Sequence, residues 1–245
     1  MPHKKRLKRL WITTHRGVRN KLKPVRGRFC AKSRICRCNA NALEVISVNF
    51  RGSLFKEVKF KNVKIEGCDF WGAIFKKCDF INTKIKNSNF VGCIFEDCKF
   101  KNSTFSYSCV VTTKYEEFAD SIDSSCIIAK DYPVLKDRDF FIDRLESLKS
   151  NTKLRLTKII HISDNKLNEL NIFLLLKIFQ REELVALLLC LCQRSMKNIN
   201  TFDDLKMALK RLKKESNVAT SRPTQSKGCA ANEAQRSDWG LQQDR

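Results

Sequence analysis

From residue 48 the chain alternates apolar and polar positions with a period of five. Written in fives from Val48 it reads VNFRG, SLFKE, VKFKN, VKIEG, CDFWG, AIFKK, CDFIN, TKIKN, SNFVG, CIFED, CKFKN and STFSY. The third position is Phe or Ile in all twelve, from Phe50, Phe55, Phe60 and Ile65 to Phe95, Phe100 and Phe105. The first position is small or medium throughout, as at Val48, Ser53, Cys68, Ala73, Thr83 and Ser103. Charges in this window occupy only the other three positions. Residues two apart on an extended chain share a side, so each pentad turns two side chains inward and then bends. A period of five fits neither an amphipathic helix nor a long alternating strand; it fits a coil that turns a corner every five residues.

A second recurrence, of twenty residues, lies over the first. Gly52, Gly72 and Gly92 keep that spacing, as do Leu54, Ile74 and Ile94, and Asn62, Asn82 and Asn102. Ile65 and Ile85, the two centres that are not Phe, are also twenty apart. Four pentads therefore close one coil, and side chains twenty apart stack in columns.

These pentads resemble the pentapeptide-repeat family, whose loose consensus is a small residue, Asp or Asn, Leu or Phe, and two variable polar positions. Asn49, Asp69, Asp79 and Asn89 occupy the second position here. The resemblance implies a right-handed, four-sided β-helix. The fold class expected is therefore a mainly β solenoid of about three coils over residues 45–110, followed by a small α-helical domain over 115–215. Three coils make a prism roughly 15 Å tall, whose ends need caps. Residues 1–44 read as an irregular basic arm and 216–245 as a disordered tail. Similar family members include proteins that protect type II topoisomerases by presenting an acidic, DNA-like rod, and others that serve as interaction modules. DNA mimicry is not expected here, because the repeat region is net basic.

The C-terminal half carries helical spacing. Phe140, Phe141, Leu145 and Leu148 mark one helix within 137–149, and Ser163 or Asp164 is a candidate cap for another through Leu167, Leu170, Phe173, Leu174 and Ile178. A third runs over 182–193. Thr201 with Asp204 makes a capping box ahead of Leu205, Leu209 and Leu212. This bundle is expected to pack against the open end of the coil.

Charge then selects partners. Lys and Arg total 48 against 26 Asp and Glu, a net charge of +22 across 245 residues. No acid precedes Glu44, so the arm is basic without compensation. Lys4, Lys5, Arg6, Lys8, Arg9, Arg16, Arg19, Lys21, Lys23, Arg26 and Arg28, with Trp11 and Phe29 for stacking, form a candidate nucleic-acid contact driven by counterion release. A polybasic membrane contact, a nuclear-localisation-like cluster and a solubilising tail are the alternatives. On the coil, Lys59, Lys61, Lys84, Lys86, Lys99 and Lys101, with Lys64 nearby, fall on two adjacent sides, where they could track phosphates or simply keep the surface soluble. Leu54, Ile74 and Ile94 point outward on another side, beside Arg51, Trp71 and Val91. Three exposed aliphatics and a Trp mark a candidate protein-partner or self-association surface, unless a C-terminal helix or a second subunit covers it permanently.

The remaining chemistry is sparse. The spacing of Cys30, Cys36 and Cys38, with His15 nearby, matches no paired zinc pattern, so no metal is expected. Cys68, Cys78, Cys93 and Cys98 read as compact core fillers, with Cys78 and Cys98 as stacked neighbours. His3, His15 and His161 join no nucleophile or acid–base constellation, and no Gly-rich phosphate loop occurs. No catalytic residue, cofactor or small-molecule substrate is expected. The basic N-terminus lacks an apolar signal region, and the segment 172–192 is interrupted by Lys177, Gln180, Arg181, Glu182 and Glu183, too polar to span a bilayer. The twelve cysteines are then expected to be mostly free thiols in a reducing cytoplasm. The reading is a non-catalytic scaffold that binds a protein partner through one face, with non-specific nucleic-acid binding as the alternative.

Overall fold

The computed structural model describes residues 11–13, 20–135, 140–163, 166–194, 196 and 198–220. Lys4, Lys5, Arg6, Lys8, Arg9, Arg16 and Arg19 lie outside the described residues, as do His3, His15 and the segment 221–245.

Short strands wind into a four-sided solenoid whose parallel sheets run along its axis. The first face stacks 11–13, 34–36, 54–56, 74–76 and 94–96; the second stacks 20–21, 38–41, 59–61, 79–81 and 99–101. The third stacks 25–29, 44–49, 64–66, 84–86 and 104–106. The fourth joins 89–91, 109–111 and 127–129, with single bridges linking Asn49, Asp69 and Asn89 below. Pairing is in register at twenty residues: Leu54, Ile74 and Ile94 are direct neighbours, and so are Phe60, Phe80 and Phe100.

The pentad has a physical basis at each position. The centres point inward, and rings twenty apart stack, with centroids 4.8 Å apart for Phe55–Phe75, Phe75–Phe95 and Phe60–Phe80, the spacing of neighbouring strands. The small first positions leave room for a hydrogen bond within the wall. Ser103 Oγ accepts from Thr83 N–H at 3.1 Å and donates to Phe80 O at 3.1 Å. Thr113 Oγ1 does the same for Cys93 N–H at 3.0 Å and Phe90 O at 3.2 Å. Cysteine substitutes as a weaker donor: Cys78 Sγ lies 3.5 Å from Phe55 O. The fifth position is the corner, and every fifth residue from Gly27 to Thr112 has a left-handed backbone. Corners inside the stack are held by the ladder, as where Asn82 N–H donates to Lys101 O at 2.9 Å, whereas Tyr107 N–H near the C-terminal end donates to Ser125 Oγ at 2.7 Å.

Three expectations are corrected. The solenoid has about five turns rather than three, because residues 11–13 and 20–44 are already part of it and not an irregular arm. Ser33 with Ile35, Cys38 with Ala40, and Leu43 with Val45 fill the inward positions there; lacking Phe centres, they do not look like the repeat. Secondly, the helices do not close the open end. A 3-10 turn, Glu116–Ser121, does so, driving Phe118 down onto Phe95, Phe100 and Phe105 at centroid distances of 4.8, 4.8 and 5.0 Å. Thirdly, the helix expected after Ser163 or Asp164 begins later. Ser163 and Leu167 lie in a small hairpin, His161–Ser163 with Lys166–Leu167.

The helical part comprises α1 (Phe140–Ser147), α2 (Thr152–Thr157), α3 (Glu169–Leu176), α4 (Arg181–Gln193) and α5 (Phe202–Thr220). Buried Asn168 caps α3 by accepting from Asn171 N–H, and its amide donates to Lys158 O at 3.1 Å. Thr201 and Asp204 form the expected capping box at α5, with bonds of 3.2 and 3.0 Å. The apolar sides of these helices share one core with Val91, Cys109 and Val111 of the fourth face.

Candidate interaction surface

The helical docking divides the surface read from the sequence. Val91 is buried in the shared core, and Trp71 packs against it, with its ring centroid 5.9 Å from that of Tyr132. Arg51 lies over Trp71 at 4.5 Å and donates from Nη1 to Lys158 O at 3.2 Å. These three belong to the chain's own interior contact. Leu54, Ile74 and Ile94 remain on the open first face, with Ile74 37% and Ile94 54% exposed.

The open column has a flat margin. Gly52, Gly72 and Gly92 form the adjacent corners at φ of 60°, 60° and 58°. That conformation alone does not demand glycine, since Glu57, Asn62 and Lys77 hold φ of 55°, 55° and 53° at other corners. A Cβ on Gly72 would meet nothing within 4 Å. The glycine column therefore keeps side chains away from the aliphatic one. On the other margin Lys76 pairs with Glu96, which lowers the charge beside Ile74 and Ile94.

The lysines separate onto two sheets. Lys59, Lys61, Lys99 and Lys101 share the second face with a single outward carboxylate among its described strands, Asp79, which pairs in register with Lys59 and Lys99. Lys64, Lys84 and Lys86 lie on the third face, where Lys64 is 2.8 Å from Glu66 and Lys86 sits over Tyr107. Lys21 and Lys23 are exposed at the N-terminal end of the solenoid, and Arg26 pairs with Glu44 at 2.7 Å. Arg28 is exposed on the strand Val25–Phe29.

Sequence reasoning marked Asp69 only as a second-position residue. The structure makes it the latch between the two parts of the chain. Its carboxylate is buried, accepting from Phe202 N–H at the start of α5 at 2.9 Å and from Asn89 Nδ2 at 3.0 Å. Next to it, Asn49 Nδ2 donates to Asn200 O at 2.9 Å. Burial pushes the Asp69 carboxyl up to about 6, against the opposing pull of the Phe202 amide, the Arg51 guanidinium and the Asn89 side chain. The helix N-terminus facing it favours a negative charge. Gly67 faces the same helix, where a Cβ would come within 2.9 Å of Asp203 Oδ2.

No group of three or more His, Cys, Asp or Glu among the described residues could hold a metal ion. His161 is buried, its Nε2 2.9 Å from Leu145 O, and burial holds its imidazole below the ordinary value. Among the described residues no helix is long and apolar enough to cross a membrane.

The pentapeptide-repeat family model matches residues 45–72 and 73–112, in eight copies. Together with the stacked coils, this makes residues 45–112 a run of pentapeptide repeats within a β-solenoid that carries a helical flank. Among solved structures it is similar to the pentapeptide repeat protein Rfr23 from the cyanobacterium Cyanothece 51142. Identity there is 10%, over 41% of this chain and 63% of that one, with a TM-score of 0.19. The chain thus spans just under two thirds of Rfr23. It is also similar to a pentapeptide repeat protein from the Arabidopsis thaliana thylakoid lumen, at 13% identity over 55% and 77% of the two chains, with a TM-score of 0.19. Trypsin-treated QnrB1, described as a plasmid-mediated fluoroquinolone resistance protein, shares 11% identity over 49% of this chain and 92% of its own, with a TM-score of 0.16. No curated protein matches the chain.

Proposed function

We propose that this protein is a non-catalytic scaffold that binds a protein partner, or a second copy of itself, through the first face of its solenoid. The observation that carries this is the outward column Leu54, Ile74 and Ile94, half-buried at Leu54 and exposed at Ile74 and Ile94, in direct register and flanked by bare glycine corners. Outward positions on a solenoid are solvated, so selection for solubility alone gives polar residues there. An aliphatic column on a rigid wall provides area for burial without the loss of backbone entropy that a flexible loop incurs on binding. Ile74→Asp is expected to abolish association, because a carboxylate would be buried there without a counter-charge, while leaving the coil folded, since the side chain points away from the core. Sedimentation velocity for self-association and pulldown for a partner, with circular dichroism as the folding check, measure this. Unchanged association in the folded variant overturns the reading.

The second face supports a second reading, non-specific nucleic-acid contact, on the observation that Lys59, Lys61, Lys99 and Lys101 share it with one carboxylate, Asp79. Anisotropy with labelled DNA and RNA is expected to show affinity falling steeply with salt and little sequence preference. Binding that is absent at low salt, or insensitive to it, excludes this reading.

A further inference from the structure

The two ends of the solenoid lumen differ. Phe118 plugs the C-terminal end, packed on three rings. Among the described residues, a cavity of about 370 Å³ enters the lumen at the N-terminal end, lined from Leu22 and Val25 to the rings of Phe80 and Phe90. That volume is within the range of small-molecule sites, about 300–1,000 Å³.

The sequence explains why it exists. On the second face the ring column Phe100, Phe80, Phe60 ends at Ala40, which pairs with Phe60. On the third face the centres are aliphatic, with Val25, Val45, Ile65 and Ile85 below Phe105. One missing ring at the mouth and a column of missing rings along one wall leave a slot parallel to the axis. From the coil of Val25 to that of Phe80 is about three strand spacings, roughly 15 Å at about 4.8 Å each. Protein interiors are close-packed, with few voids larger than a water molecule; the deep rings keep that packing, Phe75, Phe80 and Phe90 being buried, while Leu22 and Val25 at the outer end are only half-buried. The slot's walls are side chains of Ala, Val, Ile, Leu and Phe, and water inside would lack the polar partners it needs. At the mouth stand the exposed side chains of Lys21 and Lys23.

We propose that this end of the lumen is a binding site for a linear aliphatic chain with a carboxylate head, of the fatty-acid class. The tail lies in the slot along the third face, which is narrow because its walls are in-register columns, and the head meets the two ammonium groups at the rim. This adds a ligand where the sequence predicts none. It is independent of the partner surface, whose residues point out from the first face.

The test uses the full chain and dodecanoic acid, followed by displacement of a fluorescent polyene fatty acid. Saturable binding is expected. Ala40→Phe restores at the mouth the ring that Phe60, Phe80 and Phe100 carry above it, and should fill the slot while keeping the fold, weakening binding by tenfold or more (about 1.4 kcal/mol per tenfold). Ala40→Leu, a smaller filling, is expected to give an intermediate loss, and keeps the test valid if the Phe variant melts early. Lys21→Glu with Lys23→Glu is expected to weaken dodecanoate strongly and dodecanol little. No saturable binding, or binding untouched in a folded Ala40→Phe or Ala40→Leu variant, overturns the site. Equal effects of the Lys changes on acid and alcohol overturn the assignment of the head group.

Discussion

Phe75→Ala is expected to destabilise the solenoid by about 4 kcal/mol, the range for emptying a fully buried aromatic site. The Phe75 ring is stacked between Phe55 and Phe95 at 4.8 Å on each side and meets Phe70 and Phe80 at 5.6 and 5.8 Å. It is 1% exposed, and the in-register wall cannot collapse inward without breaking ladder bonds above and below. In a repeat array each coil contacts only its neighbours, so a void in the middle also uncouples the coils on either side. Phe100→Ala, at a half-buried position nearer the plug, should cost less. Urea unfolding of the two variants measures this. A loss below about 1 kcal/mol for Phe75→Ala would mean that the ring column is not the main support of the coil.

Asp69→Ala is expected to loosen the helical flank, at about 2–3 kcal/mol, because it leaves the Phe202 amide and the Asn89 side chain buried without their acceptor. The pH dependence separates this latch from ordinary packing. The folded carboxyl titrates near 6, above the unfolded 3.8, so the folded state holds the extra proton between those values. Stability linked to Asp69 is therefore present in full below the unfolded value and is lost as pH rises through 6, with a span of roughly 3 kcal/mol. Asp69→Asn removes this ionisation while keeping an acceptor for Phe202 N–H, and its stability should lack that slope. Chemical denaturation of wild type and Asp69→Asn between pH 4 and 7 tests the sign. Identical slopes would show that Asp69 does not titrate in this window.

Much of the solenoid was legible because each inward position is repeated. A residue such as Phe80 is specified by its pentad and again by Phe60 and Phe100, so the period and the stacking were both readable. The lower coils were not, because Ile35, Ala40 and Val45 satisfy inward burial without looking like the repeat. Phe118 escaped notice for the opposite reason: it fills the lumen from a 3-10 turn, outside the pentad register. Helix starts depended on local chemistry, and two polar candidates competed before α3. Asn168 prevails because its amide also satisfies Lys158 O and receives Tyr132 O–H at 3.0 Å, contacts that sequence spacing does not show. The Asp69 latch was the least visible feature. Its partner Phe202 is 133 residues away, and in sequence Asp69 looks the same as the exposed-face Asp79. The outward column was visible in full, whereas the covering of Trp71, Val91 and Arg51 depended on which face the helices chose.

The most direct measurement of the central claim is photo-crosslinking from a benzophenone amino acid placed at position 74 or 94, with position 84 on the opposite face as control. The proposed scaffold role is expected to give the same discrete protein adduct, a partner or a second copy, from 74 and 94, and none from 84. Adducts of equal yield from all three positions, or none from 74 and 94 in the folded protein, would contradict it.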